Sequence, residues 1–271
     1  MLLEAKGMAR SVFYYHLRQM NEGRDKYECE RSEIKSIFYE HKERYGYRRV
    51  TDEMHNRGYA INHKTVLRIM KALELKCRIR KVRYRSYKGE VGRIAPNVLG
   101  RDFKADRPCQ KWATDVTQVR IKEDKCYISP ILDMFNGEIV AYQISDRPNL
   151  KMVTDMLKKA LRGNKHTDGL IIHSDQGWHY QHYIYRKMLA DHHITQSMSR
   201  KGNCLDNSMM ENFFGIMKSE LLYANDYQDM DTFKKDLIEY FGYYNNKRIK
   251  LRLKGKSPVE YRTLYEQKTN Y

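Results

Sequence analysis

Through the first part of the chain, apolar residues recur three and four positions apart, the repeat of helices with one buried face. "RSVFYYHLRQM" at 10–20 reads as a short helix, and 27–45 as a longer one burying Ile34, Ile37, Phe38, His41 and Tyr45, with Gly46 as the predicted stop. In "YGYRRVTDEMHNRGYAINHKTVLRIMKALEL" a helix turns Val50 and Met54 inward, with His55 a further candidate, and Gly58 breaks it. Asn62 is placed to cap the next helix, whose buried face is Val66, Leu67, Ile69, Met70 and Leu73. Helix, glycine turn and capped helix is the helix-turn-helix layout, although an ordinary helical hairpin with a solvated basic face has the same spacing. Lys64, Arg68 and Lys71 fall on the outer side of the second helix and are candidate DNA contacts.

Beyond residue 108 the period shortens to two, and Thr and Val become frequent. "KWATDVTQVRI" reads as a first strand, "CYISPILDMF" as a second and "EIVAYQIS" as a third, with Asn136-Gly137 as a hairpin turn. A helix over 149–162 follows, capped by Asn149, with Leu150, Val153, Leu157 and Leu161 inward and Gly163 at its end. "GLIIHSD" is a fourth strand, 180–190 a helix, "ITQSMS" a fifth strand and 208–222 a further helix. The order β-β-β-α-β-α-β-α predicts an α/β fold: a mixed five-stranded sheet flanked by helices, preceded by an all-α unit. The expected division is an N-terminal helical segment at 1–25, a helix-turn-helix domain at 26–85, a basic linker at 86–107, the α/β core at 108–225, and a helical, basic extension at 226–271.

Charge narrows the function. The 271 residues carry 51 Lys plus Arg against 34 Asp plus Glu, a net charge of +17 that favours polyanionic partners. No long apolar run predicts a membrane span and the opening residues have no signal-peptide core, which points away from lipid and toward nucleic acid in the cytoplasm. Between 76 and 93 eight basic residues stand against one acid, Glu90, with Tyr84 and Tyr87 interleaved. Arg80, Lys81 and Arg83 there are candidate phosphate contacts, as are Lys247 and Arg248 in the acid-free tail run, the alternative being a solvated linker. Cys29, Cys77, Cys109, Cys126 and Cys204 form no C-x-x-C pair and are expected to be free thiols.

The candidate chemistry lies in carboxylates. Asp175 ends the apolar strand "GLIIHSD", and Asp115 sits inside the first strand on the same face as Ala113 and Thr117. Acids there are costly to bury without a partner, and a bound Mg²⁺ would answer both charges at once. Glu211, in "NSMMENFFGIMKSEL", lies at the edge of an apolar helix face with Lys218 two turns on, placed to hold a phosphate or simply solvated. Ser208-x-x-Glu211 also fits a capping box, the reading given to Ser257-x-x-Glu260, so the pattern alone leaves Glu211 open. His173, His179 and His182 are close in sequence but lack a partner Cys or Glu at ligand spacing. His173 and Ser174 point to opposite faces of a strand and cannot pair there, which counts heavily against a serine nucleophile. Trp178 and Tyr180 are read as core residues in preference to base-stacking ones.

"WATDVT", "HSDQGWHY" and "NSMMENFFGIMKSEL", in this order and on this layout, resemble the catalytic core of bacterial insertion-sequence transposases. These belong to the DDE superfamily shared with retroviral integrases, of ribonuclease H-like fold. "RYGYRRV" and "YYNNKRIKLRLKGKSPVEYR" resemble the family's N- and C-terminal parts, so the resemblance spans nearly the whole chain. It implies that Asp115, Asp175 and Glu211 form a metal-binding triad. The 35 residues between the last two are the spacing that group favours. It further implies two Mg²⁺ ions, with Mn²⁺ able to substitute, Asp115 between the metals, end cleavage by water, and then strand transfer by the freed 3′-OH. The expected partners are duplex DNA, as element ends and target, further copies of the chain on DNA, and an upstream-frame protein of the same element or a fusion with it. The expected location is the bacterial cytoplasm, with the chain on the nucleoid when DNA-bound. A non-catalytic DNA-binding repressor and a nuclease that stops at hydrolysis are the competing readings.

Overall fold

A computed structural model describes residues 9–21, 27–78, 94–164, 167–200 and 204–269. The chain divides into two compact units, Met1–Cys77 and Arg78–Tyr271.

The first unit holds α1 (Arg10–Asn21), α2 (Glu28–Glu40), α3 (Tyr47–Asn56) and α4 (His63–Ala72). Ile34, Ile37, Phe38, His41 and Tyr45 are all buried, as the helical repeat requires, and the His41 and Tyr45 rings stack at 3.8 Å. The helix stops at Glu40, before Gly46, because Lys42 takes a left-handed φ of 51°. The amides of Lys42 and Glu43 then bond back to the Tyr39 and Phe38 carbonyls, closing the last turn. The α3 end closes in the same way through Gly58, at φ 88°, whose N–H reaches the His55 carbonyl while that of Tyr59 reaches Met54. Asn62 caps α4 by accepting the Lys64 amide at 2.8 Å. Val66, Ile69 and Met70 are buried, whereas Leu67 and Leu73 are partly exposed and His55 lies outside with its Nε2 2.7 Å from the Ile61 carbonyl. Arg57 ties the unit together through Glu33, Glu40 and Glu53.

The second unit is built on one mixed sheet: β1 (Lys111–Thr114), β2 (Thr117–Ile121), β3 (Asp124–Asp133), β4 (Ile139–Ser145), β5 (Ile171–Ser174) and β6 (Thr195–Met198). The sequence predicts five strands and the structure has six, because the first is split. Both halves pair antiparallel with β3 in one register, Thr114 with Ile131 and Thr117 with Ile128. Continuing that register sets Asp115 opposite Pro130, which has no N–H to donate, so the ladder lapses there. On the far edge of β3 lies β4, and β5 and β6 extend the sheet parallel to β1.

Between β4 and β5 runs α5 (Leu150–Gly163), capped by Asn149, and between β5 and β6 run α6 (Trp178–Gln181) and α7 (Tyr183–Asp191). The predicted helix over 180–190 is thus two, parted at His182, whose ring accepts the Ile184 amide as the α7 cap. The sheet face carrying Trp112 and Ile172 packs on α5 and α7 through Val153, Met156, Leu157 and Leu189. The partly exposed Leu150 and Leu161 flank that core. The opposite face, carrying Ala113, Val119 and Leu132, packs on α8 (Ser208–Met217) and α9 (Met230–Asn246). The helix predicted for 208–222 runs as α-helix to Met217 and as a π turn over Lys218–Leu222. A last helix, α10 (Pro258–Thr269), follows a short 3₁₀ turn. Among the described residues no helix is long and apolar enough to cross a membrane.

Candidate active site

The parallel pairing of β1 with β5 builds the centre. Lys111, Trp112 and Ala113 stand beside Ile171, Ile172 and His173. Two residues further along the same register, Asp115 and Asp175 are level on neighbouring strands, at the carboxyl ends where open α/β sheets gather functional groups. Each acid lies one residue past the end of its strand, and Asp115 feels the charge of Asp175, so the two carboxylates are near one another. Asp115 accepts the Val116 amide at 2.7 Å, and Asp175 accepts the Gly177 amide at 2.9 Å. These bonds fix the carboxylates without neutralising them. Burial, and then the charge of Asp175, pushes the Asp115 carboxyl well above the usual range; burial also raises Asp175.

Gly177 has an ordinary backbone, so conformation does not demand glycine. Space does: a Cβ there would lie 2.9 Å from Asp175 Oδ1 and 3.4 Å from the Tyr180 ring. Tyr180 is buried, with its hydroxyl 3.4 Å from Thr114 Oγ1, while Trp178 is 46% exposed. The core reading therefore holds for Tyr180 and fails for Trp178, because the four-residue α6 turns only one of them toward the sheet.

Glu211 stands on the first turn of α8, on the sheet face shared with Ala113, half-exposed, and Asp115 feels its charge. Burial raises the Glu211 carboxyl. The helix begins without a side-chain capping bond, whereas Ser257 and Glu260 make both bonds of the box, at 2.8 and 3.3 Å. Lys218 is half-buried; burial lowers its pKa and the charge of Asp115 raises it. Among the described residues no three His, Cys, Asp or Glu side chains are already drawn together as a metal site. The structure thus brings Asp115 and Asp175 together and sets Glu211 and Lys218 at their margin.

The histidines have other work. His173 is buried with Nδ1 2.9 Å from Ser197 Oγ and Nε2 3.2 Å from Ser199 Oγ, and burial lowers its pKa to about 4. His179 Nε2 is 2.8 Å from the Pro148 carbonyl. Ser174 donates to the Asp175 carbonyl, not to His173. Cys29, Cys77, Cys109 and Cys126 are free thiols, and burial pushes those of Cys109 and Cys126 up to about 11.

Of the candidate DNA contacts, Lys64, Arg68 and Lys71 are exposed along α4, with Arg68 lying 5.5 Å from the centre of the Tyr27 ring. Lys247 is exposed. Arg80, Lys81 and Arg83 lie outside the described residues. Arg248 corrects the sequence reading: its side chain is 3% exposed and forks onto Glu220 at 2.8 and 2.7 Å. A run of basic residues cannot reveal that one of them answers a buried acid 28 positions away. Sequence reasoning also passed over Asp206, a buried acid held by two arginines.

A split first strand, a hairpin, two parallel crossovers and level acids at the strand ends define a ribonuclease H-like integrase core. The family model described as "Integrase core domain" matches residues 105–204, and a second model of that description matches 211–264. An "HTH-like domain" model matches 25–83. The chain is 49% identical over 261 residues to the Escherichia coli (strain K12) "Putative transposase InsK for insertion sequence element IS150", covering 96% of this chain and 92% of that one. It is 50% identical over 206 residues to an "Uncharacterized transposase-like protein" of Haemophilus influenzae, covering 75% and 94%. Among solved structures, the HTLV-2 integrase catalytic core domain in complex with magnesium aligns with a TM-score of 0.48 at 18% identity, covering 58% of this chain and 98% of that one. The chain belongs to the insertion-sequence transposases.

Proposed function

We propose that the protein cuts DNA at the ends of its insertion sequence and joins them to a target, with Asp115, Asp175 and Glu211 as the catalytic acids. The observation that carries this reading is the β1–β5 register, which, continued past the strand ends, sets two like charges level, and among the described residues no arginine is bonded to either. Such a pair holds its fold at a cost unless a cation joins it. The donor set is all oxygen, which fits a hard divalent cation, Mg²⁺ or Mn²⁺ in its place. Asp115, Asp175 and Glu211 would hold it, with the Glu211 side chain turning in from its half-exposed position. When bound, the ions supply a lowered pKa for the attacking oxygen and charge neutralisation at the leaving one.

The chain's own residues do the rest. Gly177 leaves room for the Asp175 carboxylate and fixes it through its amide. Lys218, at the margin of the acids, holds a phosphate oxygen of the DNA. Water attacks the phosphorus at the element's end, the bond from phosphorus to the element's 3′ oxygen breaks, the flanking strand keeps the phosphate at its 5′ end, and the element's 3′ oxygen takes up a proton and becomes a 3′-OH. That hydroxyl then attacks a target phosphodiester, and the displaced 3′ oxygen leaves with the proton. The exposed Lys64, Arg68 and Lys71 of α4 contact the terminal repeats, helped by Lys247 and by the basic segment with Arg80, Lys81 and Arg83. Joining two ends calls for at least two copies on DNA, with an upstream-frame protein or fusion as a further partner in the bacterial cytoplasm.

Labelled duplexes carrying the element's ends, incubated with Mg²⁺, test this. The expected products are nicked and joined strands, with Asp175→Asn losing both and keeping DNA binding. Nicking without joining would assign a nuclease, bare binding a repressor, and unchanged cutting by Asp175→Asn would remove Asp175 from the chemistry.

A further inference from the structure

Asp206 lies five residues before Glu211. Its side chain is 0% exposed and the sequence gives no hint of its partners. It accepts the Arg200 amide at 3.0 Å, Arg200 Nε at 2.9 Å and Nη2 at 3.0 Å, Arg101 Nε at 2.7 Å and Asn97 Nδ2 at 3.2 Å. The guanidinium of Arg200, above all, holds the Asp206 carboxyl below the usual range.

One cation is enough to neutralise a buried acid. Here two guanidinium groups converge on one carboxylate, and both side chains reach the surface: Arg101 and Arg200 are 42% and 59% exposed. The cluster is also tied to the wall of the acid centre. Asn207, the next residue, donates to the carbonyl of Thr114 at 3.4 Å, and Thr114 precedes Asp115.

We infer that Arg101 and Arg200 form a preset seat for a phosphodiester of the DNA backbone beside the reacting bond, with Asp206 as the positioning residue beneath them. This rests on the reading of the chain as a protein that works on DNA. Guanidinium N–H groups bond phosphate oxygens, and a carboxylate that already holds both side chains, Arg200 through Nε and Nη2 and Arg101 through Nε, spares the rotamer entropy that unfixed arginines would lose on binding. The direction of one substitution distinguishes this from plain surface charge. An acid near DNA repels it, so its removal ordinarily strengthens binding. Removing Asp206 releases the two arginines and weakens binding, although the chain becomes more positive.

The test is duplex binding by the full chain as a function of salt, followed by fluorescence anisotropy in metal-free buffer so that nothing is cut. Asp206→Asn is expected to weaken binding about tenfold, the size of one charge-assisted contact. Arg101→Gln and Arg200→Gln are each expected to reduce the salt slope of log K by about 0.9, one phosphate apiece. Arg200→Lys keeps the slope and loses part of the affinity. Where Asp206→Asn fails to fold by circular dichroism, the arginine variants decide alone. Asp206→Asn binding as tightly as the parent chain or tighter overturns the inference, as does an unchanged slope in both glutamine variants. If these fail while Asp175→Asn still abolishes cutting, the phosphate seat falls and the functional reading stands. A parent chain that binds no duplex overturns both.

Discussion

Glu220 is buried against the C-terminal helix α9 and Asp115 is partly buried at the end of β1, and the molecule treats them in opposite ways. Glu220 meets the Arg248 fork and the Tyr240 hydroxyl, so its charge is answered within the fold. Asp115 meets Asp175, another acid. Asp206, with two arginines, repeats the first treatment; Asp133 is intermediate, satisfied by the Cys109 and Phe135 amides and, among the described residues, by no cation. Arginine accompanies Glu220 and Asp206, whereas the like charge of Asp115 and Asp175 is left for a ligand to relieve.

Substitutions can break that contrast. Asp175→Asn should lower DNA cutting on the order of 10³-fold or more, since several kcal/mol of charge stabilisation is lost, and leave thermal stability equal or higher because the repulsion with Asp115 is gone. Arg248→Met should do the reverse. It strands Glu220 and costs about 3–5 kcal/mol in urea unfolding, and pairing it with Glu220→Leu should recover most of the loss.

Asp133 tests the middle case through pH. Burial pushes its carboxyl up to about 6. The native state therefore holds a proton that the unfolded chain releases, and stability falls as pH rises from the ordinary aspartate range through about 6. The loss should be roughly 2–3 kcal/mol, and Asp133→Asn should flatten it in unfolding curves taken across that range.

Gly177→Ala sharpens the contrast at the site itself. The added methyl displaces the Asp175 carboxylate, so steady-state cutting should fall about 10²-fold while the melting temperature changes little. The smallest effect is expected from Glu260→Ala, which opens the capping box of α10 for about 1 kcal/mol of unfolding free energy with cutting intact.

The last two acids show how far local pattern reaches. Ser208-x-x-Glu211 and Ser257-x-x-Glu260 are the same words, yet only the second is spoken as a cap. Pro258 fixes the first turn of α10 and presents Glu260 to the Ser257 amide. At the other, a 3₁₀ turn over Cys204–Asn207 runs straight into the helix, so Ser208 is already helical and makes no capping bond. The difference lies in the residues before the motif and in what the helix packs on, which spacing does not record. Arg248 misled for a related reason, since it sits in a run of basic residues and its partner lies on another element.

The sequence by itself determined most of the elements, their order, the sheet's position between helices and the candidate acids. Hydrophobic period, glycine stops and asparagine caps are local properties, and Asn62, Asn149 and Gly58 act where the pattern put them. Tertiary structure decided which charges meet. The level placement of Asp115 and Asp175 depends on the register of two strands sixty residues apart, and the pairing of Glu220 with Arg248 and of Asp206 with Arg101, on distant segments, depends on packing. Electrostatic partners are chosen by proximity in space, and a one-dimensional pattern carries no measure of that.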